Sequence, residues 1–457
     1  MPSHASRSKE YTRLLETPVP RLIFSLALPS VLTLLSVAVY NTADAFFAAD
    51  LGTGAVGALG CLFPLSALIQ AVGFTLGMGA GSLISRQLGE GRTERVQRLS
   101  AGAFWLALLL ALLLAAFGLI FLSPLVRLLG ATPDLQEETE RCARYQLLAS
   151  PVLIMGFVLS HLLRSEGRTD LSLRGIAAGS LLNIALDPLF MFTLGMGAAG
   201  AGAASLLSHA VGDLLLLLPF LRDKTASCLR PSSASRRPAA YGQILLHGLP
   251  SLLRQGLAAA AALLLNRQAA LFGAGALAAM GIVNKLFQIF FSVSLGLGQG
   301  YQPAAGCSFG ARRPSRLRQA FLLSLWSGVL LMTLLGIGLF FTAPWLLSFF
   351  SDDETVLAIA LPALRALCLI FPLLPPSTLA NLTYQAIGCP GRASFLAASR
   401  QGLFFIPLIL LLPRFLDLTG VWLAQPAADL LTFLLCLPFL FSFLKKLKKE
   451  DASPKNS

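Results

Sequence analysis

The chain has 457 residues, of which 55% are hydrophobic and 12% charged, and a formal net charge of +13. The charged share is about half that of a soluble domain. Asp, Glu, Lys and Arg are absent from 51–85, 99–126, 188–212, 286–311 and 319–351, each longer than the roughly 20 apolar residues that cross a bilayer core. These numbers exclude a soluble globular protein, and the unbroken apolar runs exclude a β-barrel, whose strands alternate polar and apolar residues.

Residues 1–21 are polar and basic, and the first apolar run lacks a small-residue cleavage site, so no secretory leader is expected. Twelve hydrophobic segments follow, near 22–48, 55–84, 100–122, 145–163, 175–195, 199–220, 243–270, 275–306, 319–347, 356–387, 400–416 and 420–444. An even number places both termini on one side. With the termini inside, the inside segments hold 27 of the 35 Lys and Arg residues, among them Arg7, Lys9, Arg164, Arg236, Arg400 and Lys455. The outside loops hold only Arg127, Arg141, Arg144 and Arg414. Positive residues resist translocation, so both termini are expected in the cytoplasm. The basic charge is then topological, and no nucleic-acid partner is expected. Lys445, Lys446, Lys448 and Lys449 read as an anchor on anionic lipid.

The pattern repeats. Leu28-Pro29-Ser30 returns as Leu249-Pro250-Ser251, 221 residues on; Gly167 returns as Gly388 at the same offset. Gly77, Gly79 and Gly81 are matched to Gly296, Gly298 and Gly300, offset by 219, and Gly200 to Gly420. Six spans per half make the repeats parallel. The predicted fold is an all-α membrane protein of twelve transmembrane helices in two pseudo-symmetric six-helix bundles. Its divisions are a cytoplasmic tail at 1–21, an N-terminal bundle at 22–221, a cytoplasmic linker at 222–240, a C-terminal bundle at 241–445 and a basic tail at 446–457. Two such bundles frame a cavity that can open to either side, the geometry of alternating access.

Charged residues inside spans need a reason. Asp44 in span one follows Asn41 by three residues, on one helical face. Asp187 follows Asn183 by four in span five and precedes Pro188. Both acids suit a coupling ion; interfacial hydration of Asp44 and helix packing by Asp187 are the alternatives. His161 and His209 fit either packing or a proton relay, and Met191 fits an adaptable pocket or plain packing. Asp213 and Asp429 read as structural ties. The second half offers bases and amides: Arg254, Gln255, Lys285, Gln288, Gln299, Gln302 and Gln385. Arg254 is expected to pair with a helix terminus or an opposing acid. No acid lies within spans seven to eleven, so a single ion site belongs to the first half.

Other chemistry is missing. There is no GxxxxGK[ST], no HExxH and no CxxC among seven cysteines, so an ATP-hydrolysing loop, a zinc protease site, a disulfide framework and a metal centre are not expected. No nucleophile–base pair is visible, so the chain does not read as an enzyme, and no cofactor is expected.

Several of these segments together resemble the MATE family, the multidrug and toxic compound extrusion transporters, in its DinF-like, MepA-like bacterial branch. They are Pro29 with Asn41 and Asp44, the run 77–89, Asn183 through Pro188, the runs 248–256 and 296–303, Arg400-Gln401 and Gly420-Val421-Trp422. The resemblance spans about 20–445. It implies a V-shaped pair of bundles and gradient-driven export, and it carries ion coupling onto Asp44 and Asp187 with Asn183 beside them. Ser160-His161 stands where an Asn pair is usual, which points to protons ahead of sodium. The expected function is a secondary active multidrug efflux antiporter. It would export amphipathic, cationic organic compounds in exchange for protons or sodium, as a monomer surrounded by lipid in a bacterial cytoplasmic membrane. Asn41, His161, Met191, Arg254, Gln255, Gln288 and Gln385 are its candidate cavity residues. The alternative is a lipid-linked saccharide or lipid flippase of related architecture, for which Arg254 and Lys285 supply positive charge.

Overall fold

A computed structural model describes residues 11–235 and 237–452, apart from the side chains of Ala45, Thr53 and Ala452. Arg7, Lys9, Arg236 and Lys455, used above to orient the chain, lie outside the described residues, as do 1–10 and 453–457 of the two tails.

Twelve helices among the described residues are long and apolar enough to cross a membrane. In chain order they are α1 (Val19–Asp50), α2 (Gly54–Gly89), α3 (Thr93–Ile120), α4 (Pro133–Ser165), α5 (Thr169–Thr193) and α6 (Ala199–Leu221), then α7 (Pro238–Ala270), α8 (Ala274–Gly310), α9 (Pro314–Ser348), α10 (Glu354–Ala386), α11 (Pro390–Leu411) and α12 (Pro413–Asp451). Proline opens α7, α9 and α11, where its missing N–H costs nothing. Asp353 caps the start of α10 by accepting from the Thr355 N–H at 2.8 Å. Gly167 and Gly388 turn the chain after α4 and α10 with φ of 80° and 82°, a left-handed conformation that favours glycine. Wide π-type turns lie at Leu189–Thr193 in α5, directly after Pro188, and at Ser399–Phe405 in α11.

Hydropathy alone set α4 and α11 too short. α4 begins at Pro133 and α11 at Pro390, because helices that project beyond the hydrocarbon carry polar first turns. Arg164 and Arg400 are also reassigned. Each was counted as a loop cation, yet each is a helical residue with bonding partners inside the bundle. The other basic loops share one face. Glu166 accepts from the Ala226 and Ser227 N–H groups at 2.8 and 2.7 Å, and Trp105 Nε1 donates to the Leu229 carbonyl at 3.0 Å. The linker is therefore docked on the first half. Arg313 and Arg316 donate to the carbonyls of Leu15, Leu14 and Thr17.

Two large cores form, one within 55–244 and one within 261–428. A third joins Leu14, Leu22 and Leu26 to Tyr301, Phe321 and Phe443. The start of α1 thus lies in a core of the second half, and Ile244 at the start of α7 lies in the core of the first. The halves cross over at the basic face, where α7 packs on α2 and α8 packs on α1 and α2.

Contacts across this seam and within each half correct the glycine register. Gly79 abuts Gly248 while Gly300 abuts Ala27; Gly77 abuts His161 while Gly298 abuts Leu382. Every partner pair is 221 residues apart, so Gly77 and Gly79 correspond to Gly298 and Gly300, not to Gly296 and Gly298. The seam has a pseudo-two-fold axis.

Candidate ion-coupling and transport site

α1 packs on α5, and α5 on α6. This brings Asp44 to Asn183 and Asp187, the pair that helical spacing predicts, and adds Ser205 from α6. Asn183 and Asp187 are wholly buried. Asn183 Nδ2 donates to Asp187 Oδ1 at 3.3 Å and approaches Ser205 Oγ at 3.4 Å. The Asp44 and Asp187 carboxyl groups contact each other. Two carboxylates cannot share buried contact while both carry charge, so the pair needs a proton or a cation between them. Three oxygens at this spot are buried without a donor: Asp44 Oδ1, Asn183 Oδ1 and Asp187 Oδ2. Such a set is open to a proton or to a small hard cation.

The walls are aromatic and apolar. Tyr40, one turn before Asp44, meets His209 edge-on at 5.3 Å. Met191 is buried against Ala48, Ala201 and Phe47. Tyr40 and Ser205 were missed by sequence reasoning: a hydroxyl in an apolar helix has no spacing signal of its own. The second half has no copy of this site. At the offset of 221, Asp44 falls on Leu265 and Asp187 on Leu408, both within an apolar core.

His161, Arg254 and Gln385 lie elsewhere, at the seam. His161 packs against Gly77 and meets Phe74 at 5.2 Å. Arg254 has neither of its expected partners. Its Nη1 donates to Asn381 Oδ1 at 3.3 Å and its Nη2 to Met78 Sδ at 3.1 Å. Gln385 donates to the His247 carbonyl and Ser251 Oγ and accepts from Gln302. Beside them Phe74, Met78, Phe157, Leu295 and Leu382 form an apolar cluster drawn from both halves. Asn41, Gln288 and Lys285 are exposed and Gln255 half-buried, and among the described residues no side-chain hydrogen bond joins them to either group. Asp213 lies against Gly156 of α4, and Asp429 binds Arg400 at 2.6 Å, a tie between helices as read for Asp429.

The MatE family model matches residues 29–189 and 250–411, one stretch in each half. The chain belongs to this family. As a MatE protein it is a multi-pass protein of the cytoplasmic membrane, and the predicted twelve-helix fold and family resemblance both hold. It is similar to the FAD transporter of Shewanella oneidensis, 28% identical over 76% of this chain and 78% of the relative. It is similar to the multidrug export protein MepA of Staphylococcus haemolyticus, 24% identical over 96% of this chain and 97% of that one. MepA of Staphylococcus aureus is 26% identical over 89% and 90%. A crystal structure of MATE in complex with MaL6 superposes with a TM-score of 0.91 at 25% identity, covering 96% of this chain and 99% of the other. An outward-facing multidrug resistance MATE family transporter shares the fold at a TM-score of 0.91, with 24% identity over 96% and 98%.

Proposed function

We propose that this MatE protein is a secondary active exporter of amphipathic organic compounds, working by alternating access and driven by protons taken up at Asp44 and Asp187. The observation that carries the reading is the contact between these two carboxyl groups in a bundle whose counterpart has leucine at the equivalent positions. Protonated, the pair stays together and α1 stays packed on α5. Deprotonated, the like charges repel and α1 moves. A proton entering from one side and leaving to the other thereby changes the shape of the cavity that α1 borders. The relatives named for multidrug export support the substrate class. The apolar floor of Phe74, Met78 and Phe157 suits varied organic cargo, and organic cations are the proposed members of that class.

The bundles are joined at the basic face, where α7 packs on α2 and α8 packs on α1 and α2. With both termini cytoplasmic, this arrangement is closed inward. Sodium is the second reading, favoured by the three buried oxygens without donors. An anionic cargo is represented by the relative named as an FAD transporter, and Arg254 on the cavity floor suits it.

The test is uptake into inverted vesicles under a proton or a sodium gradient, with ethidium or flavin adenine dinucleotide as cargo. Proton-driven ethidium uptake, lost in both Asp44→Asn and Asp187→Asn, is the expected result. Uptake that survives either substitution would remove the coupling role from the pair. Flavin uptake without ethidium uptake would transfer the cargo to the anionic class. No uptake of either, with anionic lipid bound, would favour the flippase.

A further inference from the structure

The seam between the halves holds buried positive charge that no carboxylate among the described residues balances. Arg164 of α4 is 5% exposed. Its Nε donates to Ser172 Oγ at 3.1 Å and its Nη1 to Gln299 Oε1 of α8. Its Nη2 has no hydrogen-bond partner among the described residues. Across the seam Arg254 binds only Asn381 and Met78, and its buried Nε has no partner. His161 is near enough to both guanidinium groups to feel their charge. Arg400 adds a further positive neighbour to Arg254, but Asp429 already neutralises it. The first-half acids contact each other on α1 and α5. A charge held away from water needs a partner of opposite sign.

The same place is hollow. A chamber lined by Met78, Ser82, Ser85, His161, Arg164 and Gln299 leaves about 20 Å³ for the centre of a water-sized sphere, which is room for one small particle. Its one buried polar atom without a partner is a donor. Gln299 is 2% exposed, its Oε1 is taken by Arg164, and its Nε2 has no partner. The Ser82 and Ser85 hydroxyls donate to the Gly79 and Ser82 carbonyls. No carboxylate of the described residues lines the chamber. A water would fill the volume and leave the charge, and a cation would be repelled.

We propose that this chamber binds one chloride-sized anion, held by Arg164 and the free Gln299 amide, and that the anion pins the two halves together at the basic face. Arg164 comes from the first half and Gln299 from the second, so an ion that bonds both must be released, or its bonds broken, before the seam parts. The site is separate from Asp44 and Asp187 and does not rest on what the protein carries.

The test uses full-length protein in detergent with chloride replaced by gluconate, then titrated with bromide. A saturable rise in unfolding temperature is expected, together with a bromine anomalous peak in the chamber in crystals grown with bromide. Arg164→Gln should weaken the response at least about tenfold, the loss of a hydrogen bond to a charged partner. Gln299→Glu sets a carboxylate beside Arg164 and should make stability independent of halide. An anomalous map with no peak in the chamber overturns the proposal, as does a halide response unchanged in Gln299→Glu. The map on the unsubstituted protein decides the matter even where Arg164→Gln does not fold.

Discussion

Gly79 and Gly248 lie back to back where α2 crosses α7. A methyl on Gly79 would fall 2.8 Å from the Gly248 nitrogen, and one on Gly248 would fall 2.8 Å from the Thr75 carbonyl carbon. Backbone stands against backbone there, with no flexible side chain to yield. Gly79→Val should therefore destabilise the closed seam by about 1–3 kcal/mol, the usual cost of overpacking. Thermal unfolding in detergent reads this directly. Gly242→Ala, with nothing within 4 Å of its added carbon, is the control and should leave the midpoint unchanged or slightly raised. Equal midpoints for the two variants would show that the crossing tolerates bulk.

Arg400 and Asp429 form a buried ion pair. The Nε–Oδ1 distance is 2.6 Å, and the guanidinium carbon lies 4.1 Å from the centre of the Phe291 ring. Asp429→Asn leaves a cation buried against that ring with a neutral partner. A loss of about 3–5 kcal/mol is expected, as for other broken buried pairs. Arg400→Met combined with Asp429→Leu should recover most of it. A double-mutant cycle by unfolding measures the coupling, and additive losses would mean the two residues stabilise independently.

Glu166 gives a pH dependence. Burial raises its carboxyl above the usual range, opposed by the donors of Ser227 and Ala226 and by the Arg168 charge. A raised acid binds its proton more tightly in the folded state. Its contribution is then fully present below the unfolded value of about 4.3 and is lost as pH rises through the folded value. Stability of the unsubstituted protein should fall across that window relative to Glu166→Gln, which carries no titrating carboxyl. Unfolding midpoints between about pH 4 and 8 supply the comparison, and parallel curves would refute it.

Asn183 and Asp187 were legible as a pair because an interval of four puts two side chains on one helical face. That Asp44 belongs with them was legible only as a shared preference for a coupling ion, since nothing in sequence spacing links span one to span five. The cavity group was less legible. His161, Arg254 and Gln385 do converge, but Asn41 and Gln288 are exposed, because a polar residue in an apolar helix can face a cleft, a neighbour or the bilayer edge. Arg164 and Arg400 were misread as loop cations for a related reason: a charge near the end of an apolar run marks a helix boundary only when it has no partner inside.

Composition and periodicity by themselves determined that this chain spans a membrane as helices, twelve times, in two related halves. Transfer free energy acts on each segment separately, so the sum over a window decides each span. Only the tertiary structure decided that the starts of α1 and α7 exchange cores, that the repeat runs at 221 residues through the glycines, and that the acids meet while Arg164 and Arg254 stay without carboxylates. Those outcomes depend on which helix faces pack together. Close packing is settled between residues far apart in the chain, where a linear reading has no term for them.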